Sequence, residues 1–261
     1  MTKLITGPNG FVGNKLIQTL EGAIPSPSLR GLSEDAINKL VSESNATAII
    51  HTAAISNMGT CEADPDASYN ANVLTPIYLA KACKANNIKL VCFSSDQVYN
   101  GSKTEGPYKE GDELPNNTYA KHKLEMENRV LDILPSAVML RAEWMYDHVK
   151  TKPDYFSIVS NSTAPLTFSS KEYRAITYVK EVAENMESVI KLPGGAYNFG
   201  SETDISIYEI TCRFIEYLGK TTEVLDKEPG HNLWMDLSKA REHGVIFSSA
   251  IDGLIRCSRD A

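Results

Sequence analysis

Three features of this chain predict an α/β fold built on a doubly wound parallel sheet. Apolar runs alternate with helical periodicity through residues 1–145, the rhythm of repeated βα units. Runs such as ATAII and IKLVCF are apolar at nearly every position, as strands covered on both faces must be. The third feature is KLITGPNGFVG at residues 3–13, where an apolar run gives way to Gly7, Gly10 and Gly13 and then to a helical pattern.

That corner carries the most information. A strand that breaks at Gly7 and restarts as a helix near Gly10 gathers backbone N–H groups where the helix end is partially positive. In a Rossmann sheet such a point holds the pyrophosphate of a dinucleotide. Gly7 allows the tight turn, Gly10 the close approach of phosphate and Gly13 close packing of helix on strand, with Asn9, Phe11 and Val12 completing the corner. The spacing is G-x-x-G-x-x-G rather than G-x-G-x-x-G, and a plain structural turn is the competing reading. The position between a strand and a periodic helix favours dinucleotide binding.

The elements follow in order. The second strand is weak, because EGAIPSPSLRGL at 21–32 holds two prolines and little apolar content. An acid ending that strand would mark NAD, but Glu34 and Asp35 fall in the first turn of the next helix, where they complement its dipole. Arg30 is placed to meet a 2′-phosphate, or is a solvated surface charge; the expected cofactor is NADP or NAD, with Arg30 favouring NADP. Ser33 caps a helix over 33–44. Residues 46–54 read as a strand, 66–87 as a helix disturbed near Pro76, 88–96 as a strand, 117–133 as a helix and 136–144 as a strand. Ligands of such sheets bind at the carboxyl ends of the strands, which carry Thr6 and Gly7, Ala53 and Ala54, Ser94, Ser95 and Asp96, and Arg141. Residues 1–146 form the expected nucleotide domain, with 172–200 returning to it through a strand-to-helix unit and the strand GAYNFGS. Segments 147–171, polar and without period, and 201–261, with the amphipathic SIYEITCRFIEYLG, form a smaller lobe over the strand ends.

Composition narrows the class. With 42% apolar and 23% charged residues among 261, the chain has the balance of a soluble globular protein. A net charge of −7 argues against nucleic acid or an anionic membrane as partner. Cys61, Cys83, Cys92, Cys212 and Cys257 form no C-x-x-C pair and are odd in number, which suits a reducing compartment and neither a zinc site nor a disulfide framework. No apolar run approaches a membrane span, and the N-terminus enters a strand directly without a signal peptide; the expected location is cytoplasmic. The histidines show no metal-ligand spacing, so no metal is expected.

Tyr-x-x-x-Lys on a helix places a phenol and an ammonium one turn apart on one face. The ammonium favours the phenolate and makes tyrosine a better proton shuttle near neutrality. The motif occurs three times. Tyr99 and Lys103 flank a turn at Gly101, and Tyr146 and Lys150 lie in weakly patterned sequence. Only Tyr119 and Lys123 open a well-formed helix, behind NNT. Ser94, Ser95 and Asp96 end a preceding strand, where a hydroxyl can share the charge developing on a carbonyl oxygen. Small polar residues also simply end strands; the Tyr119 pair tips the balance to catalysis.

Together these segments resemble the extended short-chain dehydrogenases/reductases, and most closely the dTDP-4-dehydrorhamnose reductase family. The stretches that carry the resemblance are TGPNGFVG at 6–13, HTAAIS at 51–56, CEADPDASYNANV at 61–73, SSDQVYNG at 94–101, YKEGDELPNNTYAKHKLEMEN at 108–128 and LRAEWMYD at 140–147. The resemblance implies an NAD(P)H-dependent reductase of a nucleotide-linked 4-keto-6-deoxy sugar, with a homodimer suggested for its assembly. Tyr119 would donate the proton, Lys123 bind the ribose and tune Tyr119, and Ser95 polarise the carbonyl. Ala53, Ala54, Asn72 and Ser94 would lie along the cofactor. Ser56, Asp96, Gln97, Trp144, on which the sugar would pack, and His231 would face the substrate. Related dehydratases have a glutamate where this chain has Gln97, and an amide is no general base. FSSKEYRAITYV looks more like the epimerases, which keeps an NAD-dependent nucleotide-sugar epimerase open, as well as a non-catalytic cofactor-binding regulatory subunit. Glu228 stands where the reductases carry an arginine.

Overall fold

The computed structural model describes residues 1–149, 153–230 and 232–261. Its strands are β1 (Lys3–Thr6), β2 (Ala23–Pro25), β3 (Ala48–His51), β4 (Lys89–Ser95), β5 (Val138–Ala142), β6 (Trp144–Tyr146), β7 (Leu166–Phe168), β8 (Ile176–Tyr178), β9 (Gly195–Phe199) and β10 (Val224–Asp226). Its helices are α1 (Phe11–Thr19), α2 (Glu34–Glu43), α3 (Met58–Ala63), α4 (Pro65–Tyr69), α5 (Thr75–Asn86), α6 (Thr118–Ile133), α7 (Tyr155–Asn161), α8 (Val179–Lys191), α9 (Ile207–Tyr217), α10 (Ser238–Glu242) and α11 (Ala250–Asp260).

The central sheet runs β2-β1-β3-β4-β5-β9, parallel throughout. Alternate residues of each strand feed two separate cores. Ile5, Ile50, Val91, Val138 and Leu140 pack under α1 and α8. Leu4, Ile49, Leu90, Cys92 and Met139 pack under α2, α5 and α6. Burial on both faces explains the continuous apolar runs of β3 and β4. The weak second strand survives as three residues on the sheet edge, where Pro25 removes no needed ladder donor.

The disturbance near Pro76 is a π-helical turn at Asn70–Leu74, followed by α5 with Pro76 in its first turn. The strand expected over 46–54 is confined to β3, because residues beyond His51 leave the sheet to form the loop over the site. Segment 147–171, read as patternless, contains α7 and β7. Asp154 caps α7 reciprocally with Ser157, and β7 finds its partner in the distant β10, a pairing that local periodicity cannot register. β6 pairs with β8, so residues 176–178 join a separate two-stranded ribbon while α8 and β9 return to the main sheet. Tyr146, Tyr155, Phe156, Tyr178, Ile210, Phe214 and Leu254 form the core of this second region. Among the described residues no helix is long and apolar enough to cross a membrane.

Candidate active site

The site lies at the carboxyl ends of β1, β3, β4 and β5. At the first corner Gly7 takes φ +69°, and a Cβ there would meet the Ala53 backbone at 3.0 Å. A Cβ on Gly13 would lie 2.2 Å from the Gly7 carbonyl oxygen, so α1 seats on β1 only with glycine at 13. Gly10 is the N-cap of α1 but supplies no side-chain cap, and the first turn holds no acid. No side chain caps that end and no acid screens it, as suits a pyrophosphate cradle. Asn9 is exposed on the turn, Phe11 is partly buried, and Val12 packs inward against the α1 core. Beside the corner, His51 Nδ1 pairs with Thr6 Oγ1 at 2.7 Å, while Nε2 is buried without a protein partner. Burial holds this imidazole neutral, with its pKa pushed down to about 3. Together, the uncapped helix end, the glycine contacts and the orphaned Nε2 fit a dinucleotide.

Arg30 is exposed in the loop after β2, at the same end of the sheet. Ala54 and Ser56 are exposed in the loop after β3, and Ala53 lies against Gly7. Asn72 does not reach outward. Its amide bonds both backbone groups of Ile55, at 3.0 Å each, and fixes the shape of that loop from below. Ser94 is likewise withdrawn, because its hydroxyl donates to Glu127 on α6.

Ser95, one residue on, points the other way. Its hydroxyl donates to Asp96 Oδ1 at 3.0 Å and accepts from Gln97 N at 3.2 Å, and it lies near enough to the Tyr119 phenol to act on its titration. Asn117 caps α6 through Ala120 N at 2.8 Å, which fixes where the first turn presents Tyr119. Lys123 follows one turn later, buried, with Nζ 5.8 Å from the Tyr119 ring centroid and donating to Phe93 O at 2.7 Å. Burial pushes the Tyr119 phenol above its ordinary range, and the neighbouring Ser95 hydroxyl only partly opposes this. The lowering expected from a neighbouring ammonium does not appear in the free protein; Ser95 is the group that opposes burial. Burial also brings Lys123 down to about 8.

The other Tyr-x-x-x-Lys pairs do not join this centre. Tyr99 is buried, donating to Asn198 Oδ1 and accepting from Arg141, each at 2.7 Å. Tyr146 lies in the second core, and Lys150 and His231 fall outside the described residues. Arg141, at a strand end that sequence suggested for function, is held internally by Glu127 at 2.6 Å, by Glu113 and by Tyr99. Gln97 is buried, with Oε1 accepting from Asn100 at 3.4 Å.

Sequence did not single out two groups near the centre. Arg174 bonds Asp96 Oδ2 at 3.2 Å and lies over the half-buried Trp144 ring at 5.6 Å. Glu143, between β5 and β6, is buried within the field of Asp96 and Arg174. An acid closing the apolar run VMLRA was the visible hint.

A parallel Rossmann sheet with a glycine corner, and with serine, tyrosine and lysine gathered at the end of its fourth strand, defines an extended short-chain dehydrogenase/reductase. The family model described as RmlD substrate binding domain matches residues 1–232, and the chain belongs to that family. The chain is 28% identical over 284 residues to a probable low-salt glycan biosynthesis reductase, Agl14, of Haloferax volcanii, covering 99% of this chain and 94% of that one. It is 31% identical over 194 residues to methionine adenosyltransferase 2 subunit beta of Xenopus laevis, covering 69% of this chain and 57% of the relative. Among solved structures, dTDP-4-dehydrorhamnose reductase of Bacillus anthracis in complex with NADP superposes with a TM-score of 0.87 at 21% identity, covering 100% of this chain and 99% of that one.

Proposed function

We propose that this protein is an NAD(P)H-dependent reductase of a nucleotide-linked 4-keto-6-deoxy sugar, with Ser95, Tyr119 and Lys123 as its catalytic residues. The observation that carries the reading is the nearness of Ser95 to Tyr119 at the end of β4, with the Lys123–Phe93 bond joining their elements, on the same edge of the sheet as an α1 that no side chain caps. The reductase names of the relatives support it. Gly7, Gly10 and Gly13 would hold the pyrophosphate, with Ala53 and Ala54 alongside and Arg30 at a 2′-phosphate.

The substrate ketone oxygen would accept hydrogen bonds from Ser95 and Tyr119. A bound nicotinamide cofactor would supply the hydride. As negative charge builds on the ketone oxygen, Ser95 stabilises it and Tyr119 transfers its proton, breaking the phenolic O–H and forming the alcohol O–H. Lys123, cationic below about 8, offsets the charge left on the phenol. The Lys123–Phe93 bond keeps that cation at the centre. Trp144 would cover the sugar ring, and residues 147–171 and 201–261 would supply the remaining substrate contacts.

The test is consumption of NADPH or NADH by purified protein with dTDP- and UDP-linked 4-keto-6-deoxy sugars. Stoichiometric cofactor oxidation with one of them is expected; folded protein that oxidises neither cofactor with any of them overturns the reading. Arg174 beside Trp144 favours one second reading, an epimerase holding NAD as a transient oxidant. Protein purified with bound NAD, interconverting two sugars with no net cofactor use, would establish it instead.

A further inference from the structure

Glu143 is built into this site more deliberately than a structural acid needs to be. Its Oε2 accepts from Thr177 Oγ1 at 2.8 Å and from Ser201 N at 3.0 Å. Space for that oxygen exists only because residue 200 is glycine. A Cβ on Gly200 would stand 2.3 Å from Glu143 Oε2, and the backbone there takes φ +155°. One carboxyl oxygen is thus fixed by three elements, β8, the end of β9 and the turn after β5. Among the described residues Oε1 accepts and donates no hydrogen bond. The charged groups that face the carboxyl are Asp96, from the end of β4, and Arg174, from the segment before β8. Asp96 also touches Ser95, so Glu143 belongs to the surroundings of the reacting carbonyl.

Burial and the Asp96 charge both oppose ionisation, raising the pKa to about 8; the Thr177 and Ser201 bonds and Arg174 oppose this less strongly. At neutral pH the group is a carboxylic acid with one O–H. Both donors from the protein engage Oε2, which leaves the proton on Oε1. Once a bound ligand excludes water from the site, that donor is costly unless a ligand acceptor pairs with it.

We propose that Glu143 is a specificity residue that donates a hydrogen bond from Oε1 to an oxygen substituent on the ring carbon next to the reacting ketone. The site therefore selects keto-sugars that keep an oxygen there over deoxy analogues. This rests on the reductase reading and deepens it. A pocket that hydrogen-bonds a substrate hydroxyl rejects the analogue lacking it far better than an apolar pocket rejects an added one.

The test compares wild type, Glu143→Gln and Glu143→Leu with two probes, a dTDP-linked 4-keto-6-deoxyhexose and its 3-deoxy analogue. Binding of dTDP and NADPH is measured separately. Wild type should prefer the hydroxylated probe by about 100-fold or more in kcat/KM, the scale of a hydrogen-bonding group left unpaired. Glu143→Gln keeps a donor and should keep most of that preference. Glu143→Leu should reduce it to a few-fold, chiefly through KM, with dTDP and NADPH affinities unchanged. KM for the hydroxylated probe should rise above pH 8 in wild type and stay flat in Glu143→Gln. Equal loss on both probes in Glu143→Leu, or the same KM profile in Glu143→Gln and wild type, overturns the proposal. If Glu143→Leu fails to fold, the pH comparison alone decides. Wild-type protein inactive on both probes overturns the reductase reading instead, a distinguishable result.

Discussion

Lys123 Nζ donates to the Phe93 carbonyl oxygen at 2.7 Å, tying the helix that presents Tyr119 to the strand that presents Ser95. The two halves of the catalytic centre are therefore held by a buried ammonium, and Tyr119, Lys123 and Glu127 recur at four-residue spacing along one face of α6.

The pH dependence of turnover follows from this placement. Lys123 sits at about 8, lowered by burial, so its charge is present below that pH and lost above it. The kcat measured with NADPH should fall as pH rises through 8. Lys123→Met should turn over slowly with no such fall. A wild-type kcat that stays level to pH 9.5 contradicts this assignment.

Ser95→Ala removes one of two donors to the developing oxyanion. Loss of a donor of this kind lowers kcat by about 10²–10³-fold. Ser94→Ala, by contrast, removes a hydroxyl committed to Glu127 and should leave cofactor affinity unchanged. Steady-state rates of the two variants, side by side, separate the adjacent serines.

Gly13→Ala would place a methyl 2.2 Å from the Gly7 carbonyl oxygen and 2.8 Å from Thr52 Oγ1, and the Gly7 backbone must shift to admit it. Overpacking of this sort costs about 1–3 kcal/mol, and here it also opens the anion corner. Isothermal titration should show NADPH binding weakened at least tenfold. Unchanged affinity would show that the corner does not hold the cofactor.

Arg141 and Glu127 are both buried, with Arg141 Nε also 3.1 Å from Glu127 Oε2. Arg141→Met strands a buried carboxylate and should cost about 3–5 kcal/mol in denaturant unfolding. Breaking the exposed Lys81–Glu34 pair, 2.7 Å apart, should cost under about 1 kcal/mol. Comparable losses from the two would show that the internal pair is solvated.

Much of the architecture was legible because it is written locally. Buried parallel strands leave unbroken apolar runs, Gly13 is required by a contact with Gly7 within one βα unit, and Asn117 caps α6 three residues before Ala120. The β7–β10 pairing was not legible, since Leu166 and Val224 meet only through tertiary packing. Residue type named the serines at the end of β4, but not their directions; strand alternation turns Ser94 to Glu127 and Ser95 to Tyr119. Asn72 and Arg141 looked like ligand groups, and only their buried partners show otherwise. Glu143 and Arg174 lie inside LRAEWMYD and FSSKEYRAITYV, yet neither stretch singles them out; they approach Asp96 from segments brought together by the ribbon of β6 and β8.

The central claim is that Tyr119 protonates the substrate oxygen beside a bound nicotinamide cofactor. Its most direct test is single-turnover NADPH oxidation with a dTDP-linked 4-keto-6-deoxyhexose by wild type and Tyr119→Phe, with NADPH affinity measured on both. The variant should bind NADPH as wild type does and oxidise it about 10²–10⁴-fold more slowly, the range for a lost general acid. A Tyr119→Phe protein that oxidises NADPH at the wild-type rate would contradict the account.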